Sequence, residues 1–152
     1  RDIGVGPFYF IEKANIFDMR YRGEPTNAEI SLAFAYFGDL QIELIQQKND
    51  APSTYRDFLD EGGEGLHNIA VRTDDLDLKR SQLASLGFAE VQSGKGGEQG
   101  ELGRHIYYDM GGHRGSIIEL TEDKLIKTQF FDRLKSLTAD WDGSNPIIEI
   151  DT

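Results

Sequence analysis

The sequence predicts an α+β protein of two related, strand-rich units that together form a cupped mixed β-sheet. Two strand-like segments, 40–45 and 116–121, support this class because each places a single Glu within an apolar run. Each segment follows a tight glycine turn after another strand-like segment, which is typical of a hairpin. The third observation is the helical pattern of 74–86, which lies between strands of the second half.

The first half of the chain has three segments that we interpret as strands from their apolar and polar alternation. These strands are 7–12, 29–37 and the segment around Glu43. Gly38 and Asp39 supply the turn between the second strand and the third. A linker follows, in which Ser53 is expected to cap a short helix that Gly62 ends.

The second half is predicted to be a strand, a helix and three further strands. The first strand is 66–72 and the helix is 74–86, which Gly87 ends. The three further strands are 88–92, 104–110 and 116–121. We interpret the polar, glycine-rich segment 93–103 as a loop that acts as a lid. The apolar spacing over 126–141 predicts a C-terminal amphipathic helix.

The two halves have similar spacing between a helix end and a glutamate, which indicates a duplication. Glu119 lies 32 residues after Gly87, and Glu43 lies 39 residues after Gly4. His67 lies 20 residues before Gly87, so we expect its counterpart, on an opening strand and helix of the first unit, to precede the chain. The predicted parts are a first-unit remainder, a linker helix and turn, a second unit, and a C-terminal helix and tail. Their bounds are 1–52, 53–65, 66–122 and 123–152.

Composition excludes several classes of function. The formal net charge is −11, so the overall field repels a polyanion, and we predict no binding to nucleic acid. The chain has no Cys, which excludes thiolate ligands, thiol nucleophiles and disulfides and favours a cytoplasmic protein. No apolar run approaches the roughly 18 residues of a membrane span, so we predict no membrane association.

Glu43, His67 and Glu119 are the candidate metal ligands. A buried carboxylate without a partner is costly, so a Glu within an apolar strand requires an explanation. His67 begins a third apolar strand, where we expect it to share a face with Ile69 and Val71. Two carboxylates and an imidazole on three strands form a donor set that suits a divalent metal. For each residue alone, the alternatives are a strand-end carboxylate that faces water or Arg, and a core histidine with satisfied hydrogen bonds.

His105 and Tyr107 lie on the strand that we expect to pair with the Glu119 strand. The simplest register places Tyr107 opposite Glu119, with His105 on the same face, so either side chain could bind the substrate or carry a proton. A slip of one residue would bury Tyr108 there instead.

A repeated unit of strand, helix and three strands, with His on the first strand and Glu on the last, resembles the vicinal oxygen chelate superfamily. That group includes glyoxalase I, methylmalonyl-CoA epimerase, extradiol dioxygenases and bleomycin-resistance proteins. The resemblance covers 1–122 and is most specific in FGDLQIELI (37–45), GLHNIAVRTDDL (65–76) and IIEL (117–120). The epimerase and glyoxalase branch is the most similar, although many relatives of the epimerase type carry a second His where Asn68 stands.

The resemblance implies a glyoxalase/bleomycin-resistance-type fold and one divalent metal ion, Fe, Mn, Co, Ni or Zn, held by Glu43, His67 and Glu119. The fourth ligand would come from the strand that precedes this chain. The implied function is a metal-dependent lyase or isomerase that acts, as a homodimer, on a small substrate chelating the metal through two oxygens. One alternative is an Fe(II) extradiol-type dioxygenase that does not use Glu43, and the other is a non-catalytic small-molecule binder of the resistance type.

Overall fold

The computed structural model describes residues 4–111, 113 and 115–150. These residues form ten strands and three helices, so the predicted α+β class is confirmed. In chain order the elements are β1 (Phe8–Ile11), β2 (Ile16–Tyr21), β3 (Glu24–Pro25), β4 (Ile30–Phe37), β5 (Leu40–Gln47), α1 (Thr54–Asp60), β6 (Asn68–Thr73), α2 (Leu76–Ser85), β7 (Glu90–Gly96), β8 (Gly103–Asp109), β9 (Ile117–Glu122), α3 (Leu125–Thr138) and β10 (Ile147–Glu149).

The strands form two mixed sheets rather than one. The first has the order β10-β1-β4-β5, and the second has the order β3-β2-β7-β8-β9-β6. In the second sheet β6 pairs with β9 in parallel, and β9 pairs with β8 antiparallel. The Glu119 strand is therefore flanked on both sides, whereas β5, which carries Glu43, lies at an edge of its sheet.

The pair β2 and β3 was not predicted, because β2 lacks a regular alternation. Its register against β7 shifts between Phe17 and Arg20, and Asp18 has a φ of 50°. Such a bulge disturbs the two-residue period on which strand prediction depends. The polar side chains of β2 then follow no single face of the sheet.

The predicted lid is wrong, because residues 93–96 belong to β7 and Gly103 to β8, which leaves only a short connection over 97–102. Gly94 lies buried in β7, opposite His105 in the neighbouring strand. A Cβ at Gly94 would lie 2.8 Å from Ile16 Cγ2 and 2.9 Å from His105 Nε2. The glycine therefore allows a close approach of side chains, although glycine is unfavourable in strands and resembles a loop residue in the sequence.

The two sheets face each other across a shared apolar core. Buried Met19, Ile30, Tyr55 and Tyr107 pack together in this core, with Ile45, Val91 and Ile117 around them. Cross-strand partners share a face of a sheet. The pairs Phe34–Glu43 and Tyr107–Glu119 therefore place both glutamates on the faces that are turned toward this core.

Helix α3 covers part of the same inner surface. Its Leu134, Phe130 and Phe131 pack on Phe34 and Tyr36 of β4, which lie on the Glu43 face. The hydroxyl of Tyr36 donates to the carbonyl of Phe131 at 3.1 Å. On the other sheet, Arg72 of β6 donates to the Thr128 hydroxyl of α3 at 2.9 Å. Helix α3 thus contacts both sheets on the side where the glutamates lie.

Large apolar side chains remain exposed on the two edge strands. On β5 these are Leu40 and Leu44, and on β6 they are Ile69 and Val71. None of the helices in the described ranges is both long and apolar enough to cross a bilayer.

Candidate active site between the two sheets

Glu43 and Glu119 lie on the inner faces of the two sheets and within electrostatic range of each other. The charge of Glu119 and the surrounding protein both raise the pKa of Glu43, with burial the larger cause. Burial also raises the pKa of Glu119. Two like charges at close range in a poorly solvated place resist simultaneous ionisation. The pair therefore holds a proton at a higher pH than isolated carboxyl groups do.

Glu119 is held by two hydrogen-bond donors. The side-chain amide of Asn68 donates to Glu119 Oε2 at 3.0 Å, and the Tyr107 hydroxyl also hydrogen-bonds the carboxylate. The Tyr55 and Tyr107 hydroxyls lie 2.8 Å apart. When Tyr107 donates to Glu119, Tyr55 must donate to Tyr107. These donors, together with the charge of Lys127, favour the ionised form of Glu119 and oppose the effect of burial.

Glu43 lies in a more open environment. The residue is exposed to solvent at the edge of the first sheet, although protein atoms crowd around its carboxyl group. Solvent access weakens the effect of burial, but the direction of the pKa shift stands because the repulsion from Glu119 acts in the same sense. Glu43 is consequently the better candidate to carry the shared proton.

His67 lies beside the carboxylates but contacts neither directly. It precedes β6, and its ring packs against Tyr55, Phe58 and Tyr107, with centroid distances of 5.1, 5.4 and 5.9 Å. The prediction that His67 shares a face with Ile69 and Val71 is wrong. Strand alternation begins only at Asn68, so the ring is free to turn toward the inner side.

Asn68 links His67 to Glu119. Its Oδ1 lies 2.9 Å from His67 Nδ1, while its amide nitrogen donates to Glu119. Because Oδ1 can only accept, Nδ1 must carry the imidazole hydrogen, and the lone pair is then on Nε2. His67 Nε2 is buried and has no hydrogen-bond partner among the described residues. It is therefore available to accept a hydrogen bond from a bound molecule.

The described side chains do not supply a metal centre with three protein ligands. Across the described ranges, no group of three or more His, Cys, Asp or Glu side chains is arranged to hold a metal ion. The residue that touches Glu119 is Asn68, whose amide nitrogen points at the carboxylate and cannot act as a ligand there. The ligand roles of Glu43, His67 and Glu119 therefore stay a prediction, and no step below depends on a metal.

The predicted register of β8 against β9 is confirmed. Tyr107 lies opposite Glu119, and His105 lies opposite Thr121 on the same face. Burial lowers the pKa of His105 to about 4, and the nearby charge of Lys127 acts in the same direction. His105 is therefore neutral at pH 7 and can donate or accept a hydrogen bond, but it carries no charge.

Lys127 and Tyr55 complete the site, and the sequence analysis missed both. Lys127 is only 8% exposed, and its ammonium donates to Thr121 Oγ1 at 2.8 Å and to the Glu122 carbonyl at 2.7 Å. The sequence does contain one indication for Lys127. It lies at helical spacing with Phe130, Phe131 and Leu134, and therefore on the apolar face of α3. Tyr55 lies on a short helix that was interpreted as a linker.

Two cavities have linings that do not include Glu43 or Glu119. One, of about 590 Å³, is lined by Lys13, Lys48 and Glu149 among others. The other, of about 200 Å³, reaches His105 from a side bounded by Arg80 and Arg104. The guanidinium groups of both arginines are already paired with carboxylates. The side chains with perturbed pKa values, rather than cavity volume, therefore define the candidate site.

Comparison with known proteins is consistent with this fold. The family model of the Glyoxalase/Bleomycin resistance protein/Dioxygenase superfamily matches residues 4–108. The chain belongs to this superfamily. The matched stretch includes Glu43, His67 and Tyr107 but ends before Glu119 and Lys127. A search of the curated proteins finds no match, so the superfamily is the level at which the chain is identified.

Proposed function

We propose that this superfamily member is a lyase or isomerase of the glyoxalase and epimerase type, and that it moves a proton at a carbon next to a carbonyl group. The observation that carries the proposal is the unequal carboxylate pair. Hydrogen-bond donors favour the ionised form of Glu119, whereas for Glu43 burial and the repulsion from Glu119 outweigh the charge of Lys127 and raise its pKa. Paired carboxyl groups whose environments differ in this way supply a base and an acid at the same pH.

In the proposed reaction Glu119 accepts the proton from the substrate carbon. Glu43 donates its proton to the carbonyl oxygen, so an enol forms and no isolated enolate charge develops. Return of the proton from Glu119 to the former carbonyl carbon, while Glu43 takes the proton of a hydroxyl on the first carbon, gives an isomer. Alternatively, Glu43 takes back the enol proton as a leaving group departs from the neighbouring carbon with the proton of Glu119, which gives a lyase product. Tyr107 and Asn68 orient Glu119 throughout, and the lone pair on His67 Nε2 accepts a hydroxyl of the substrate.

The test is incorporation of solvent deuterium into small carbonyl compounds, followed by proton NMR. A suitable panel is pyruvate, lactate and the hemithioacetal of methylglyoxal and glutathione. We expect at least one compound to exchange with the wild-type protein and to lose roughly a hundredfold or more of its rate with Glu119→Gln. Glu24→Gln, on the exposed strand β3, is the matched control and should exchange at the wild-type rate.

Exchange with no member of the panel would overturn the proposal. Saturable binding of a panel member without exchange would instead indicate a non-catalytic binder, which the aromatic ring cluster around His67 could serve. Retention of the full rate by Glu119→Gln would remove the assigned base and overturn the proposal as well.

The divalent metal, the cytoplasmic location and the homodimer stay predictions beside this proposal. Elemental analysis of protein purified without chelator tests the metal, and about one equivalent that is lost in Glu119→Gln would support the predicted centre. Light scattering of the purified protein tests the homodimer, for which the apolar edges of β5 and β6 are the candidate contact surfaces.

A further inference from the structure

Lys127 is a buried cation that the proposed proton transfer does not use. It lies on α3, outside the stretch that the superfamily model matches. Only 8% of the residue is exposed, and burial lowers the pKa of its ammonium. Removing a cation from water is costly unless it gains partners, so its position at the site requires an explanation.

The nearby carboxylates of Glu119, Glu122 and Asp123 raise the pKa of Lys127 through space, but its hydrogen bonds go to neutral groups. Both acceptors, the Thr121 hydroxyl and the Glu122 carbonyl, are neutral. An ammonium group has three N–H donors, so within the part of the chain that the structure describes one donor is not used by these bonds. The two fixed bonds hold Nζ in place and direct the remaining donor away from the end of β9.

The charge of Lys127 acts on the inner face of the site. It lowers the pKa of Glu43, Glu119 and His105, so the ammonium lies within electrostatic range of all three. Thr121, to which it donates, lies on the same face as Glu119 and two residues further along β9. Same-face positions two apart on a strand are separated by about 7 Å.

We propose that Lys127 binds the carboxylate of the substrate, so that the site takes small monocarboxylic acids with a carbonyl or hydroxyl group on the neighbouring carbon. This inference rests on the proposed function. Lys127 donates to Thr121, the next residue after Glu119 on the same face of β9, so a carboxylate on Lys127 would place its neighbouring carbon on the Glu119 side of the strand.

The charges of the site favour a carboxylate over a phosphate. A phosphate monoester carries nearly two negative charges at pH 7. The ionised Glu119 repels the second charge, and the other cation near Lys127, Arg72, is already paired with Asp123 at 3.3 Å. One ammonium and one carboxylate of the substrate balance each other. The ligand class is therefore a monoanion.

The test is a calorimetric or NMR titration of the whole chain with pyruvate, with inorganic phosphate as the comparison. We expect saturable binding of pyruvate, and weaker or no binding of phosphate. Lys127→Met should weaken pyruvate binding by roughly tenfold to a hundredfold, as expected for loss of a charge-assisted hydrogen bond. Lys79→Met, an exposed lysine on α2, is the control and should bind as the wild type does.

Lys127→Gln keeps a donor for Thr121 and Glu122 but removes the charge. It therefore distinguishes a loss of ligand affinity from a loss of the folded structure. If Lys127→Met fails to fold, the same weakening in a folded Lys127→Gln protein still supports the proposal. Wild-type affinity in either folded variant would overturn it, and so would tighter binding of phosphate than of pyruvate. Absence of saturable pyruvate binding to the wild type would also overturn it.

Failure of this inference can be distinguished from failure of the proposed function. Glu119→Gln should abolish deuterium exchange but retain or tighten pyruvate binding, because it removes a negative charge near the bound carboxylate. Binding that depends on Lys127 without exchange would leave the carboxylate site standing and reject the proton transfer. Exchange that is insensitive to Lys127→Gln would reject the carboxylate site alone.

Discussion

Glu43 and Glu119 occupy equivalent places in two repeated strands, yet their surroundings differ. Glu119 lies on β9, between β8 and β6, and receives Tyr107 from the first and Asn68 from the second. Glu43 lies on the edge strand β5, and no counterpart of these hydrogen bonds reaches its carboxylate within the described chain. The strand motif thus places a carboxylate, and the neighbouring strands decide its protonation.

This difference assigns the two roles in the proposed reaction. A carboxylate that accepts hydrogen bonds is stabilised as an anion, and one that lies beside a like charge is stabilised as the acid. A symmetrical pair would share its proton evenly and supply neither role well. The predictions that follow compare the two halves of the site directly, beginning with the largest expected effect.

The turns that precede the two glutamate strands should differ most in their response to substitution. Gly115 and Gly38 both have positive φ, 75° and 60°. A Cβ at Gly115 would overlap the carbonyl oxygen of Leu66, whereas a Cβ at Gly38 meets nothing within 4 Å. Gly38→Ala should cost about 1–2 kcal/mol from strain alone, and Gly115→Ala more than about 3 kcal/mol because Leu66 must also move. Urea unfolding measures both, and equal losses would contradict the comparison.

Tyr107→Phe should lower the free energy of unfolding by about 1–3 kcal/mol. The substitution removes a buried donor to Glu119 and leaves the Tyr55 hydroxyl without its acceptor. Tyr108→Phe is the matched control. Its hydroxyl is buried near Glu90, but it makes no hydrogen bond of normal length to a described residue. A larger loss for Tyr108→Phe than for Tyr107→Phe would reject the relay through Tyr55 and Tyr107.

The carboxylate pair should make the protein less stable as the pH rises. Both glutamates have a folded pKa above the ordinary value of 4.5, so the folded state binds their protons more tightly than the unfolded state does. Their contribution to stability is complete below about 4.5 and is lost as the pH rises through the raised values.

Glu43→Gln tests this dependence, because it removes the repulsion without removing the bulk of the side chain. We expect thermal unfolding midpoints similar to the wild type at pH 5 and higher by about 3 °C at pH 9. Glu24→Gln on the exposed strand β3 should change neither midpoint. A wild-type midpoint that rises between pH 6 and pH 9 would show that the pair does not resist ionisation.

Asn68→Ala should produce the smallest change of these variants. It should shift the pKa values of the two glutamates in opposite directions. Loss of the amide donor raises the pKa of Glu119, since that donor favours the anion. Glu119 then keeps its proton to a higher pH, so its charge repels Glu43 less and the pKa of Glu43 falls. Carbon-13 NMR titration of the carboxyl groups measures both. A shift of the two pKa values in the same direction would contradict the proposed coupling.

The sequence was sufficient for the strands and the helix of the second unit and for the register beside Glu119. The alternation around Glu119 and the glycine turn before it predicted the register that brings Tyr107 opposite Glu119, and this register is confirmed. The alternation around Glu43 predicted that it shares a face with Gln41 and Ile45, which the pairing of β5 with β4 confirms, but it also predicted that Leu44 faces the core, and Leu44 is exposed. These features depend on local periodicity, which a sequence contains.

The rest of the site depends on contacts that local periodicity does not contain. His67 lies one residue ahead of β6, so the alternation used for it did not apply. Lys127 reaches the site only because α3 folds back over both sheets. Gly94 resembles a loop residue, yet close packing against Ile16 and His105 requires it in a strand. Tertiary packing decided each of these positions.

The rate of solvent deuterium incorporation, measured side by side for Glu119→Gln and Glu43→Gln, tests the division of roles most directly. The compound used is the panel member that the wild type exchanges fastest. The account predicts a loss of at least about a hundredfold for Glu119→Gln, which lacks the base, and a loss of about tenfold for Glu43→Gln, whose amide still donates a hydrogen bond to the carbonyl oxygen. A greater loss for Glu43→Gln, or wild-type exchange by Glu119→Gln, would contradict it.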